Sequence, residues 1–148
     1  MKYLGNKDIL NGRKTGFLSS QKCTADVVLK SYDWAKQMRT GGKCVITGNH
    51  SQIEKDVYEI LLKGKQPLIL VLARGLQKRY DTSVKKAIDE GRLLVISPFE
   101  ANINRVTREG ALVRNKLIIE LADEMMVGYI TEGGQLEEIL KNKKHLTL

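Results

Sequence analysis

VITGNHSQIEKDVYEILL, residues 45–62, joins an apolar, β-branched segment to an amphipathic one through a short polar turn. The first residues are typical of a buried strand, whereas Ile53, Val57, Ile60 and Leu61 recur at the spacing of one helical face. The stretch therefore predicts a strand, a tight turn and a helix in immediate succession.

The same unit recurs along the whole chain. Apolar segments predict strands at 15–20, 43–48, 66–73, 92–97 and 124–131. Amphipathic segments between and after them predict helices at 24–39, 51–64, 82–91, 108–122 and 133–142. Continuously apolar strands that alternate with helices favour a mainly parallel sheet covered on both faces, a Rossmann-like three-layer α/β/α sandwich.

Length and composition predict one domain over residues 1–148. The chain is 42% hydrophobic and 28% charged, which suits a single globular core. No apolar run approaches the length of a membrane span, and the start has no secretion signal, so a cytoplasmic location is expected. Cys23 and Cys44 lie far apart and only two histidines are present, so neither a zinc site nor a disulfide framework is indicated.

The chain is strongly basic, with 25 Lys and Arg against 17 Asp and Glu and a formal charge of +8. Such a charge favours polyanionic partners through long-range attraction. Part of the excess lies in KNKKHLTL, residues 141–148, which we interpret as a solubilising tail. The other basic residues matter through their positions.

Ligands of parallel α/β sheets bind beyond the carboxyl ends of the strands, so the loops at these ends hold the candidate site. They contain small residues, amide-rich turns or basic side chains, a combination suited to phosphates. The candidates are Ser20, Gln21, Lys22, Gly48, Asn49, His50, Ser51, Arg74, Arg114, Lys116, Gly133 and Gly134. Turn geometry alone is the competing explanation, because short loops of this kind are commonly rich in Gly, Ser and Asn.

Two features weigh against catalysis and metal binding. Ser51 has no evident base and acid arranged as a triad, and His50 is typical of a capping or surface residue. We therefore predict no catalytic residue, no metal and no cofactor. Gly133 and Gly134 either form a tight turn or let a neutral part of a ligand approach, since Glu132, Glu137 and Glu138 would compete with an anion.

Several segments together resemble the Rossmann-like domain of the DNA-processing protein A family, DprA or Smf. They are YLGNKDIL (3–10), VITGNHSQIEKDVYEILL (45–62), LILVLARGL (68–76), RLLVISPF (92–99) and VRNKLIIELADEMMVGYITEGGQLEEI (113–139). RNK resembles the Arg-Asn-Arg segment of that family, and ITGNHS is similar to its Ser-Gly-Leu-Ala-Arg-Gly turn without the arginine and second glycine.

The resemblance implies a domain that binds single-stranded DNA and hands it to a recombinase, usually as a homodimer. By position it implies that Gly48, Arg114, Asn115 and Lys116 line the DNA pocket, with the pair Gly133 and Gly134 beside them. The leading expectation is thus a nonenzymatic domain that binds nucleotide or single-stranded DNA.

Two alternatives stay open. The wider superfamily contains phosphoribohydrolases of the "lonely guy" type, which carry the motif Pro-Gly-Gly-x-Gly-Thr-x-x-Glu. The segment EGGQLEEIL resembles this motif in its glycine pair. Leu140 stands where that motif has its glutamate, so a diverged nucleoside-monophosphate hydrolase would need Glu137 or Glu138 instead. The second alternative is a sensor of a signalling nucleotide.

Overall fold

The computed structural model describes residues 1–148 as one sheet with helices on both faces. The strands are β1 (Lys2–Gly5), β2 (Lys14–Leu18), β3 (Cys44–Thr47), β4 (Leu68–Val71), β5 (Leu93–Ser97), β6 (Glu124–Val127) and β7 (His145–Thr147). The helices are α1 (Ala25–Thr40), α2 (Gln52–Leu62), α3 (Thr82–Asp89), α4 (Arg108–Leu121) and α5 (Gln135–Ile139), and a 3-10 helix spans Lys7–Asn11.

The seven strands lie in the order β1-β5-β4-β3-β2-β6-β7. All neighbours pair in parallel except β1, which runs antiparallel along β5. This topology confirms the predicted three-layer α/β/α sandwich with a mainly parallel sheet.

Each central strand supplies alternate side chains to two separate cores. Phe17 and Val45 point to the face covered by α1, α2 and α3, where Phe17 stacks on Trp34 with ring centroids 5.1 Å apart. Leu18 and Ile46 point to the opposite face, where they pack with residues of α4 and α5. A strand that buries both of its faces must be apolar throughout, which explains the apolar runs in the sequence.

Three elements were not predicted from the sequence. β1 and the 3-10 helix occupy the start of the chain, and β7 lies in the tail that was interpreted as a solubilising end. β7 instead pairs with β6, and Leu148 N donates to the carbonyl of Val127 at 2.9 Å. Backbone pairing creates this strand without an apolar run, so hydrophobicity gave no signal.

Successive strands from β2 to β5 are added on one side of β2, and the chain then crosses back to add β6 and β7 on the other side. This reversal of strand order produces a crevice beside β2. The chain leaves β2 through α1 to β3 on one side, whereas β6, the other neighbour of β2, continues through α5 to β7. The loops that follow β2 and β6 therefore diverge. A point of this kind is where open α/β sheets bind their ligands.

The structure also bears on membrane spans, metal ligands and cysteine pairing. None of the helices combines the length and the apolar character needed to span a bilayer. No three His, Cys, Asp or Glu side chains are grouped as metal ligands. Cys23 and Cys44 are both unpaired thiols, and burial raises the pKa of Cys44 to about 11.

Candidate functional site

A pocket of about 460 Å³ lies in the crevice beyond β2 and β6. We call it the switch-point pocket. It brings together six of the predicted residues, which come from the loops after β2 and β3 and from α4: Ser20, Gln21, Lys22, His50, Arg114 and Asn115.

Two serines join the diverging loops and form the floor of the pocket. Ser19 accepts a hydrogen bond on Oγ from the amide of Tyr129 at 3.0 Å, and Ser20 Oγ accepts one from the amide of Thr131 at 3.0 Å. Gly128 is needed for this contact, because a Cβ there would lie 2.8 Å from the Oγ of Ser19. The loops are thus held at a fixed separation.

The carboxylate of Glu54 connects the loop after β2 to the turn before α2. It is 3% exposed and accepts from the amides of Ser19 (3.0 Å), His50 (2.9 Å) and Ser51 (3.4 Å). The hydroxyl of Ser51 in turn accepts from the amide of Glu54, which completes a capping box. The amides of His50 and Ser51 therefore donate to Glu54 and are not free to bind a phosphate.

Arg114 is the charged centre of the pocket. Its side chain is almost entirely buried, at 2% exposure. Nη1 donates to the carbonyl of Gly48 and Nε to Oδ1 of Asn115, both at 3.0 Å. Nη2 has no hydrogen-bond partner. Burial lowers the pKa of Arg114 and the carboxylate of Glu54 opposes this, yet a guanidinium stays charged near neutral pH.

Gly48 is required by the arginine. A Cβ at this position would lie 2.6 Å from Nε and 2.8 Å from Cζ of Arg114, closer than side chains can pack. The turn therefore lets a guanidinium lie directly on the backbone. The sequence suggested Gly48 as a phosphate turn, whereas its structural role is to seat the basic group.

His50 lies on the rim of the pocket. Partial burial lowers its pKa, the positive charges of Arg114 and Lys55 act in the same direction, and Glu54 opposes them. The imidazole is therefore neutral at pH 7 and can serve as a hydrogen-bond donor or acceptor.

The remaining predicted residues lie elsewhere. Asn49 and Arg74 line a separate cleft between α2 and α3. Ser51 is buried as the α2 cap. Lys116 is exposed, because two positions along α4 separate it from Arg114 and place it on another helical face.

The pair Gly133 and Gly134 does not line the pocket. Gly133 has a φ of +76°, and its amide donates to Oε1 of Glu137 at 3.2 Å. Gly134 precedes α5 as its N-cap with extended backbone. Turn geometry thus accounts for Gly133 but not for Gly134, and a ligand contact at this pair stays a prediction.

Glu54 is the organising residue that sequence reasoning missed. The signal was present as Ser-x-x-Glu at residues 51–54, the sequence pattern of a capping box. That pattern predicts a hydrogen bond from Glu54 to the start of α2. It does not predict the hydrogen bond to Ser19, because Ser19 lies near Glu54 only through the position of β2 beside β3 in the sheet.

The pocket is suited to binding an anion. Lys22, Arg108 and Arg114 line it, and Glu54, the acidic residue among its walls, is bonded to backbone amides. Glu132, Glu137 and Glu138 are exposed and outside the pocket, so none is placed as the acid of a hydrolase. An unpartnered guanidinium N–H in a buried setting is a strong donor for a phosphate oxygen.

Comparisons with known proteins point in one direction. Residues 1–137 match the family model of DNA recombination-mediator protein A. The chain superposes on DNA processing protein A of Helicobacter pylori with a TM-score of 0.75 and 18% identity, over 98% of this chain and 69% of that one. For the Streptococcus pneumoniae protein the TM-score is 0.77 at 18% identity, over 98% and 53%.

A more distant likeness is the molybdenum cofactor binding protein of Rippkaea orientalis, with a TM-score of 0.59 and 14% identity over 91% and 75%. No curated protein matches the chain. At these identities the structural likenesses establish the fold. The chain also spans only about half the length of the Streptococcus pneumoniae structure.

Proposed function

The chain belongs to the family of DNA recombination-mediator protein A, and we propose that it binds single-stranded DNA in the switch-point pocket. The Helicobacter pylori relative is described as binding single-stranded DNA. We propose the same ligand class, single-stranded DNA, for this chain.

One observation carries the proposal. Arg114 is 2% exposed, lies in the pocket at the topological switch point and leaves Nη2 without a partner. Burying a charged donor without a full set of hydrogen bonds is unfavourable, so a site of this kind is best explained by an anionic ligand. A backbone phosphate supplies the oxygens that Nη2 lacks.

The pocket favours a backbone contact over recognition of a base. Lys22 and Arg108 add positive charge at its walls, whereas no Phe, Tyr or Trp ring lines it for a base to stack on. Binding should therefore tolerate different sequences and weaken steeply with salt.

The direct test is fluorescence anisotropy with a labelled single-stranded oligonucleotide over a salt series. Arg114→Lys keeps the charge but loses the planar fork, and we expect about ten- to hundredfold weaker binding, since a charge-assisted hydrogen bond contributes about 1.5–3 kcal/mol. Lys36→Ala is the control, because Lys36 is exposed near the opposite end of α1. Native-like binding by Arg114→Lys would contradict the proposal.

Competition with mononucleotides separates DNA binding from the sensor alternative. If a mononucleotide binds and the oligonucleotide does not, a nucleotide sensor replaces the proposal. If free base accumulates from a nucleoside monophosphate, the chain is a hydrolase. The homodimer and the recombinase partner implied by the family resemblance stay predictions, as does the cytoplasmic location expected from the sequence.

A further inference from the structure

A second cavity of the molecule is larger than the switch-point pocket. A cleft of about 1140 Å³ runs between α2 and α3 on the face of the sheet that carries α1. We call it the α2–α3 cleft. It extends from Asn49 and Arg74, at the carboxyl edge of the sheet, to Lys65 and Arg92, at the amino edge.

We propose that the α2–α3 cleft is a second phosphate-binding subsite, which receives the single strand as it leaves the switch-point pocket. This inference rests on the proposed function, because the strand must first occupy that pocket.

The charge of the cleft supports a polyanionic ligand. Seven Lys or Arg side chains line it against three Asp or Glu side chains. Among the seven, Arg92 alone forms an ion pair, with Glu90 at 3.4 Å. The other basic side chains form no ion pair, although Arg74 donates to the side-chain oxygen of Gln77. Several of them, such as Lys55 and Arg79, are exposed.

A buried hydroxyl points to the same ligand. Tyr58 is 5% exposed and lines the cleft, and its Oη has no hydrogen-bond partner. Burial raises the pKa of Tyr58 to about 12, with Asp81 acting in the same direction, so the group stays a neutral O–H donor. A donor of this kind in a basic cleft is suited to a phosphate or sugar oxygen.

The two cavities meet at a single turn. Asn49 lines the cleft, and the next residue, His50, lines the switch-point pocket. Asn49 adopts a left-handed conformation with a φ of +53°, which a residue other than glycine adopts only rarely. A strand that crosses this turn would pass from the pocket that holds Arg114 to the cleft lined by Arg74.

The test compares oligonucleotides of about 4 and about 16 nucleotides, the two ends of the range over which compact single-strand sites extend. The variant Arg79→Glu with Lys86→Glu changes the cleft at two exposed basic positions. The matched control Lys36→Glu with Lys144→Glu makes the same change in net charge at exposed positions that line neither cavity.

We expect the cleft variant to weaken the long oligonucleotide at least about tenfold and to lower its salt slope by about 0.7 for each lost phosphate contact. The short one should change less than about twofold, and the control should preserve the dependence on length. Equal losses at both lengths, or an unchanged slope, would overturn the second subsite. Failure of the native protein to bind either length would overturn the proposed function as well.

Tyr58→Phe provides an independent readout. Because Oη bonds nothing within the protein, its removal should leave the melting temperature unchanged or higher. It should also weaken the long oligonucleotide several-fold and spare the short one. Unchanged affinity for both lengths would remove Tyr58 from the subsite.

Discussion

Two glycine-containing turns at the same edge of the sheet look alike in sequence and differ in structure. Each precedes a helix, and in each a glutamate of that helix reaches back to a turn amide: Glu54 after Gly48, and Glu137 after Gly133. Glu54 is buried, bonds three amides and lies near Arg114, whereas Glu137 is exposed and bonds one. Of the two turns, only the one that contains Gly48 packs against buried charge at the switch-point pocket.

Replacing Glu54 and Glu137 one at a time should give the largest difference in stability between the two turns. Glu54→Ala leaves three amides without their acceptor, and we expect a loss of about 3 kcal/mol or more, since each buried unpaired group costs about 1–3 kcal/mol. Glu137→Ala should change stability by less than about 0.5 kcal/mol, as at other exposed positions. Urea denaturation measures both, and similar losses would show that the turns are equivalent.

The glycines themselves give the next largest difference. Gly48→Ala places a Cβ 2.6 Å from Nε of Arg114, so we expect a loss of about 1–3 kcal/mol and weaker DNA binding. Gly134→Ala meets only the carbonyl of Thr131 at 3.2 Å and should be close to neutral. Thermal unfolding and anisotropy provide the measurement. Full DNA affinity in Gly48→Ala would show that this turn does not contribute to DNA binding in the pocket.

Gly133→Ala should have an intermediate effect on stability alone. Its φ of +76° is unfavourable for a residue with a Cβ, and we expect a loss of about 1 kcal/mol. DNA affinity should stay native, because Gly133 does not line the switch-point pocket. Weakened DNA binding would restore the glycine pair as a ligand contact.

The smallest effect concerns pH, since only the Gly48 turn carries a histidine. A bound phosphate should raise the pKa of His50, so affinity is expected to increase a few-fold from about pH 7.5 to about pH 5.5. Stability of the free protein should move the other way. The unfolded chain binds the proton more readily, so stability decreases as the pH falls through the ordinary value.

His50→Gln is the matched variant for this prediction. It should remove the pH dependence of DNA affinity while leaving the salt slope near pH 7.5 unchanged, because His50 is neutral there. A pH dependence that persists in His50→Gln would assign the titration to another group.

Local pattern was sufficient for the architecture. The apolar runs and helical spacings located five strands and five helices, and alternation of the two implied the parallel sheet. β1 and β7 were not predicted, because pairing at sheet edges depends on backbone groups, which every residue carries. The tail at 141–148 had the composition of a solvated segment even though three of its residues form β7.

The site was located by topology more than by residue type. Parallel strands place their carboxyl ends together, and Lys22, His50 and Arg114 line one pocket at this edge. The separation of Arg74 from Arg114 depends on which face each loop follows, and this was not accessible from spacing. Likewise, the reach of Glu54 to Ser19 depends on the order of β2 and β3 in the sheet.

The short strand β7 has a practical consequence for handling the protein. It pairs with β6 through His145, Leu146 and Thr147, and it lies beyond the residues that match the family model. Deleting residues 141–148 would leave the outer edge of β6 as a row of open backbone groups, a template for another chain. Shortened versions should therefore be checked for strand exchange and aggregation before any loss of activity is assigned to the pocket.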